Sequence, residues 1–295
     1  MILLEAPTIQ AKPSEQSLSP MTKALFMIVL IAYSFLVFNV GGYNTFIPTY
    51  LKLPARIAVV AITFISTFVL YRSQGRLNRY WKISFSFLLA SIGLLMAWFF
   101  GTWYYLIPGL SPTTVQGAAV AKVAEALPII FSILIGVWIV ERDFTSVYVR
   151  SGDLRKSLKL GLIASPAALF PFLALGGLAF SASLDALLYA LPWIFVFSIS
   201  NGLMEELMIR GIFLREYDSL FGQKQSLILT SVIFAIFHQA IIGIADIITL
   251  AYYFSIPLIM GLIWGYIIQK SDNIWGAVLA HMIADVLFFL VMFGV

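Results

Sequence analysis

Two adjacent glutamates, Glu205 and Glu206, and an arginine, Arg210, stand inside an apolar run in the stretch NGLMEELMIRG, residues 201–211. An ionisable side chain at bilayer depth is expensive and normally faces the interior of a helix bundle. On a helix, Glu206 and Arg210 are four apart, share one face and can form an ion pair. Glu205 points about 100° away around the helix and has no such partner. A carboxyl left unpaired in a low-dielectric site is poised to exchange a proton, as a general base or acid must. Glu206–Arg210 therefore reads as a brace and Glu205 as the working group.

The histidines fit the same picture. The chain has only two, and both fall in apolar runs. FAIFH places His238 four residues after Phe234, and HMIAD places His281 four before Asp285. His281 and Asp285 share a helix face, so the carboxylate can orient the imidazole or share its ligand. One histidine on an apolar helix is ordinarily a satisfied core residue; two of two, beside a diglutamate, form a constellation. Glu205, His238 and His281 can meet as a two-His, one-carboxylate set on three helices. Such a set either binds one divalent metal, zinc first, with an open position, or positions a water between general bases. An ion-paired polar cluster that only fixes helix packing is the competing reading.

The other internal charges read more simply. Lys122 and Glu125, three apart in their run, pair or snorkel. Asp185 and Asp246 sit at helix starts, where an N-cap is expected. Gly261 and Gly265 in GLIWG permit close helix approach, after a kink at Pro257. HExxH and GxSxG are both absent, which removes the zincin arrangement and the nucleophile elbow.

These side chains must be positioned by membrane helices. The 295 residues are 61% hydrophobic and 11% charged, with a mean hydropathy of +0.97. A soluble domain carries about 25% charged residues, so the composition points to an all-α polytopic membrane bundle solvated by the lipid bilayer. Apolar runs near span length lie at roughly 24–43, 56–71, 82–106, 117–141, 158–181, 185–213, 225–242, 247–269 and 274–294. That is nine spans, or eight if the short second run is interfacial. With the N-terminus cytoplasmic, 14 of the 18 lysines and arginines fall on the inner side, as the positive-inside rule requires. A plasma (inner) or organellar membrane suits this topology. In this register Glu205 and Glu206 lie roughly 12–15 Å from the nearer end of their span. The 141–159 stretch reads as a solvated connector touching lipid headgroups. Residues 1–22 read as a disordered cytoplasmic tail, 23–150 as transmembrane helices without a motif, and 151–295 as the part that carries the chemistry. The net charge of +4 forms no basic stripe, so no nucleic-acid partner is expected. The absence of cysteine excludes thiol chemistry and thiolate metal ligands.

EELMIR, FAIFH and HMIAD match the EExxxR, FxxxH and Hxxx(N/D) motifs, in that order on successive late helices. The sequence resembles the CPBP (CAAX-protease and bacteriocin-processing, or Abi) family, and is similar to its type II CAAX-prenyl endopeptidases, over about residues 155–294. The resemblance implies an intramembrane endopeptidase acting on a membrane protein or peptide, the CAAX-type substrate being prenylated at a C-terminal cysteine. It implies that Glu205 activates a water for attack on a peptide carbonyl and that His238 shares that water or binds the metal. His281 and Asp285 would complete the site and stabilise the oxyanion, with Glu206 and Arg210 as supports. An ionised Asp285, unlike the asparagine the motif also admits, cannot donate to an oxyanion; it must be protonated or orient His281 instead.

Two other classes compete: a non-catalytic membrane scaffold or bacteriocin-immunity protein that retains the cluster, and a transporter that uses it as a proton or ion relay. Glu205→Gln separates them. It abolishes peptide cleavage in the first reading, spares function in the second and alters transport in the third.

Overall fold

The computed structural model describes residues 19–44, 46–169, 173, 183–242 and 246–294. Among them the apolar runs become helices and no strand is present, because a helix satisfies its own backbone polar groups where water is absent. Ten helices are described: α1 (Pro20–Ser34), α2 (Thr49–Arg72), α3 (Trp81–Phe100), α4 (Val115–Glu141), α5 (Leu154–Ala164), α6 (Leu184–Glu206), α7 (Ile212–Phe221), α8 (Gln223–Ile242), α9 (Ile247–Ser271) and α10 (Trp275–Phe293). Seven segments among the described residues are long and apolar enough to cross a membrane: 20–40, 49–72, 77–106, 115–141, 184–221, 250–271 and 275–293. The protein is an integral, all-α polytopic membrane bundle.

The expected run at 158–181 lies largely outside the described residues, as does most of the 1–22 tail. The run at 225–242 is helix α8, which is not among the seven. The second run is longer than expected, because α2 starts at Thr49 and runs for 24 residues. Its polar first turns are accommodated: Lys52 Nζ reaches back to the Asn44 carbonyl (3.1 Å). Arg56, 8% exposed, donates to the carbonyls of Gly41 (2.9 Å), Gly42 (2.5 Å) and Leu94 (3.4 Å). At the head of α6 the side-chain cap is Ser183, which accepts from the Ala186 N–H (3.2 Å); Asp185 lies inside the first turn.

Packing runs α2 on α3, α3 on α4, α4 on α6 and α6 on α10, with α5 and α9 against α10 and α8 along α9. Hydroxyls tie α2 to α3: Thr63 to Ser91 (2.9 Å), and Thr67 and Ser66 to Ser84 (3.0 and 2.6 Å). Phe64, Ile65, Phe68 and Val69 of α2 are exposed, as residues that meet lipid are.

Three local features set the chemistry-bearing side chains. The α6 helix does not end at Glu206 but widens into a π-turn, Leu207–Gly211, before α7 resumes. Ser86 Oγ of α3 donates to the Ile212 carbonyl at the end of this turn (2.5 Å). Helices α5 and α10 touch backbone to backbone: Gly276 N–H donates to Ser157 Oγ (2.8 Å), and a methyl on Gly276 would collide with the Ser157 carbonyl. The stretch around 148–153 is a strap, where a solvated connector was expected. Ile274 N–H donates to the Tyr148 carbonyl (3.1 Å), Trp275 Nε1 to the Arg150 carbonyl (3.1 Å), and Asp153 N–H to the Ser271 carbonyl (3.1 Å). These bonds hold the α9–α10 turn five residues or more upstream of His281.

Candidate active site

Glu206 and Arg210 are both fully buried. Glu206 Oε1 accepts from Arg210 Nη1 (2.8 Å) and from His281 Nδ1 (2.9 Å). The guanidinium lies 4.0 Å over the Phe234 ring and 5.7 Å from that of Trp264. The motif phenylalanine therefore offers its ring face to the arginine's charge as well as packing in the core. Space for the arginine exists because α9 has Gly261 there: a Cβ on it would stand 2.9 Å from Arg210 Nη2 and 3.0 Å from the Ser231 backbone. The close approach expected of GLIWG is thus found at the arginine.

The imidazoles are fixed in tautomer as well as place. His281 stacks on Trp264, with centroids 3.9 Å apart and planes at 17°, and gives its Nδ1–H to Glu206. His238 Nδ1 bonds the Phe234 carbonyl (3.0 Å); a carbonyl only accepts, so that nitrogen carries the hydrogen. In both neutral rings Nε2 is then a bare acceptor. Both Nε2 atoms face Glu205 Oε2, His281 at 3.6 Å and His238 at 3.7 Å. Oε2 is buried, and among the described residues no group donates to it. Three acceptors therefore converge on one point.

Asp285 stands one step aside. Its Oδ1 is 3.8 Å from His281 Nε2, outside hydrogen-bond range, while its Oδ2 accepts from Asn201 Nδ2 (3.0 Å). Glu206 therefore orients His281, one of the two roles the spacing left open for Asp285, and Asp285 is itself held by an amide one turn before Glu205. The three expected metal donors, Glu205, His238 and His281, line one cavity; among the described residues no group of three His, Asp or Glu side chains is spaced as a metal site.

The cavity has a volume of about 380 Å³ and is mainly apolar, with Phe197, Ile256, Met260, Leu287 and Phe288 in its wall. Its polar lining adds Asn201, Tyr252 and Lys122 to the expected residues. Four of the six expected site residues, Glu205, His238, His281 and Asp285, line it, while Glu206 and Arg210 stand behind His281, joined to it through Glu206 Oε1. Asn201 had a signal in the sequence, lying four before Glu205 on the same helix. Trp264 had none, since only the packing of α9 on α10 brings it to His281.

A family model described as type II CAAX prenyl endopeptidase Rce1-like matches residues 187–287. That segment is about a third of the chain, and its likeness to this family supports a CAAX-protease assignment. No curated protein and no solved structure matches the chain. The Rce1-like segment starts in α6 and ends in α10, so it encloses all six residues and leaves Lys122, on α4, outside. At the level of the family the activity is that of a CAAX-type endopeptidase working in a membrane.

Proposed function

We propose that the protein hydrolyses a peptide bond of a membrane-associated, prenylated CAAX-type substrate with a water activated by Glu205. The observation that carries this reading is the convergence of Glu205 Oε2 and two bare imidazole nitrogens on one buried point. A water there gives one hydrogen to Glu205 and the other to an imidazole, which leaves its lone pair free to attack. Glu205 takes the first proton as the carbon–oxygen bond forms, and returns it to the departing amine as the carbon–nitrogen bond breaks. Asn201 Nδ2 has a second hydrogen besides the one given to Asp285, and it supplies the oxyanion donor that an ionised Asp285 lacks. Glu206 holds the His281 ring and balances positive charge on it, as the carboxylate of a catalytic triad does for its histidine. The apolar wall suits a substrate recognised by a lipid chain.

Glu205, His238 and His281 would also be the ligands of a divalent cation, which would sharpen the acidity of a bound water and polarise the carbonyl. The test is cleavage of a quenched-fluorescent prenylated peptide and its unprenylated control by detergent-purified wild type and Glu205→Gln, with metal content measured on both. Loss of about 10²–10⁴-fold in rate is expected for a missing general base. Undiminished cleavage by Glu205→Gln would sink the proposal. Stoichiometric zinc lost with the glutamate would make Glu205 a ligand.

A further inference from the structure

Lys122 is the cation that the proposed chemistry does not use. It sits on α4 outside the family segment, and its side chain is 19% exposed. Its partner Glu125, three residues on, accepts from Nζ at 2.7 Å. An ammonium has three donors, so this pair leaves two of them to other acceptors. Lys122 faces two cavities. Lys122 lines the active-site cavity, alongside Phe197, whose ring lies 5.6 Å from Nζ. It also lines a second cavity of about 540 Å³, where its charged neighbours are Lys52, Arg56 and Glu125.

These two cavities differ in charge. The first holds the carboxylates Glu205 and Asp285 with Lys122. In the second, three cations, Lys122 among them, stand against one carboxylate. A peptide's free carboxy terminus is therefore repelled by Glu205 and Asp285 and attracted where Lys122 opens on the second cavity. In an apolar cavity such a difference is screened weakly and sets direction as well as affinity.

We propose that Lys122 is a specificity residue that binds the free C-terminal carboxylate of the substrate, and so fixes which peptide bond lies over Glu205. The inference rests on the endopeptidase reading and names the group by which that substrate is read. A chain that continues past the site, or ends in an amide, lacks the group Lys122 binds.

The experiment compares one peptide substrate as the free acid and as the C-terminal amide, with wild type, Lys122→Gln and Lys122→Arg. Wild type is expected to favour the acid by about tenfold or more in kcat/KM, the factor for losing one charge-assisted hydrogen bond. In Lys122→Gln the ratio falls to near one, mainly through KM; Lys122→Arg keeps it. A structural role would depress both substrates together and leave the ratio in place, which overturns the proposal, as does a wild type indifferent to the acid. Binding of an aliphatic tripeptide acid and its amide, measured by thermal shift on Glu205→Gln and on Glu205→Gln/Lys122→Gln, needs no turnover. Tighter binding of the acid that depends on Lys122 supports the proposal even where no substrate is cleaved, and equal binding of the two overturns it. Loss of cleavage therefore speaks to Glu205, and loss of discrimination to Lys122.

Discussion

Arg210→Met removes one partner of a charge cluster that has no access to water. Two interactions are lost: the hydrogen bond from Nη1 to Glu206 (2.8 Å) and the contact of the guanidinium with Phe234 (4.0 Å). A hydrogen bond to a charged group contributes about 1.5–3 kcal/mol, and a desolvated cation–π contact about 2 kcal/mol. Their sum, roughly 3–5 kcal/mol, agrees with the cost of breaking a buried pair by deleting one member. Removing both charges is different, because no uncompensated carboxylate is left behind. Glu206→Leu/Arg210→Met is expected to recover stability to within about 1–2 kcal/mol of wild type. Activity should not recover, since Nδ1 of His281 then has no acceptor to hold the ring; a loss of about 10²–10⁴-fold is expected by analogy with a triad that lacks its carboxylate. Unfolding by SDS in mixed micelles, followed by tryptophan fluorescence, gives the first quantity, and peptide cleavage the second. The reasoning is refuted if Arg210→Met lies within 1 kcal/mol of wild type, or if the double variant is no more stable than the single. An active double variant would remove Glu206 from its place behind His281.

Three further outcomes follow from the geometry. Asp285→Asn should retain cleavage to within about tenfold, because its amide oxygen can still accept from Asn201 while its NH2 faces the cavity; complete loss, measured as initial rates, would require an ionised carboxylate there. Gly276→Ala should lower thermal stability in detergent by about 1–3 kcal/mol, the usual range for overpacking, and shift His281 with α10, so that kcat falls further than melting alone explains; an unchanged melting temperature would contradict the backbone contact with Ser157. Ser86→Ala frees the Ile212 carbonyl after the π-turn and should cost about 1–3 kcal/mol, while the same change at Ser200, exposed on α6, should leave the melting curve in place.

Much of the site was legible because helical spacing is a local property. Glu206 with Arg210 is an i,i+4 pair on paper and a 2.8 Å contact in space, even though the intervening turn is π rather than α. The membrane bundle was legible from composition alone. What spacing could not reach was the relation between helices. His281 and Asp285 share a face, yet the imidazole turns to Glu206, 75 residues away, because α10 packs on α6 at that height. Lys122 and Glu125 pair as their spacing suggested, but that Lys122 lines the active-site cavity depends on α4 packing against α6. The strap at 148–153 was hidden for a different reason: two of its bonds to the α9–α10 turn join backbone groups, which leave no trace in residue type, and a third sets the Trp275 indole on a backbone carbonyl.

The fit of Arg210 under Gly261 bears on how such a site can change over generations. The arginine occupies room that only a residue without a side chain leaves on the neighbouring helix. The two positions, 51 residues apart in sequence, are coupled by contact. An alanine at 261 would press on the Arg210 guanidinium and on Ser231 together, and a shorter residue at 210 would relieve the first of these contacts. Lineages that drift at one should be found to have drifted at the other. The signature of this chemistry is then longer than the three motifs that announce it, and its last member is a residue with no chemistry of its own.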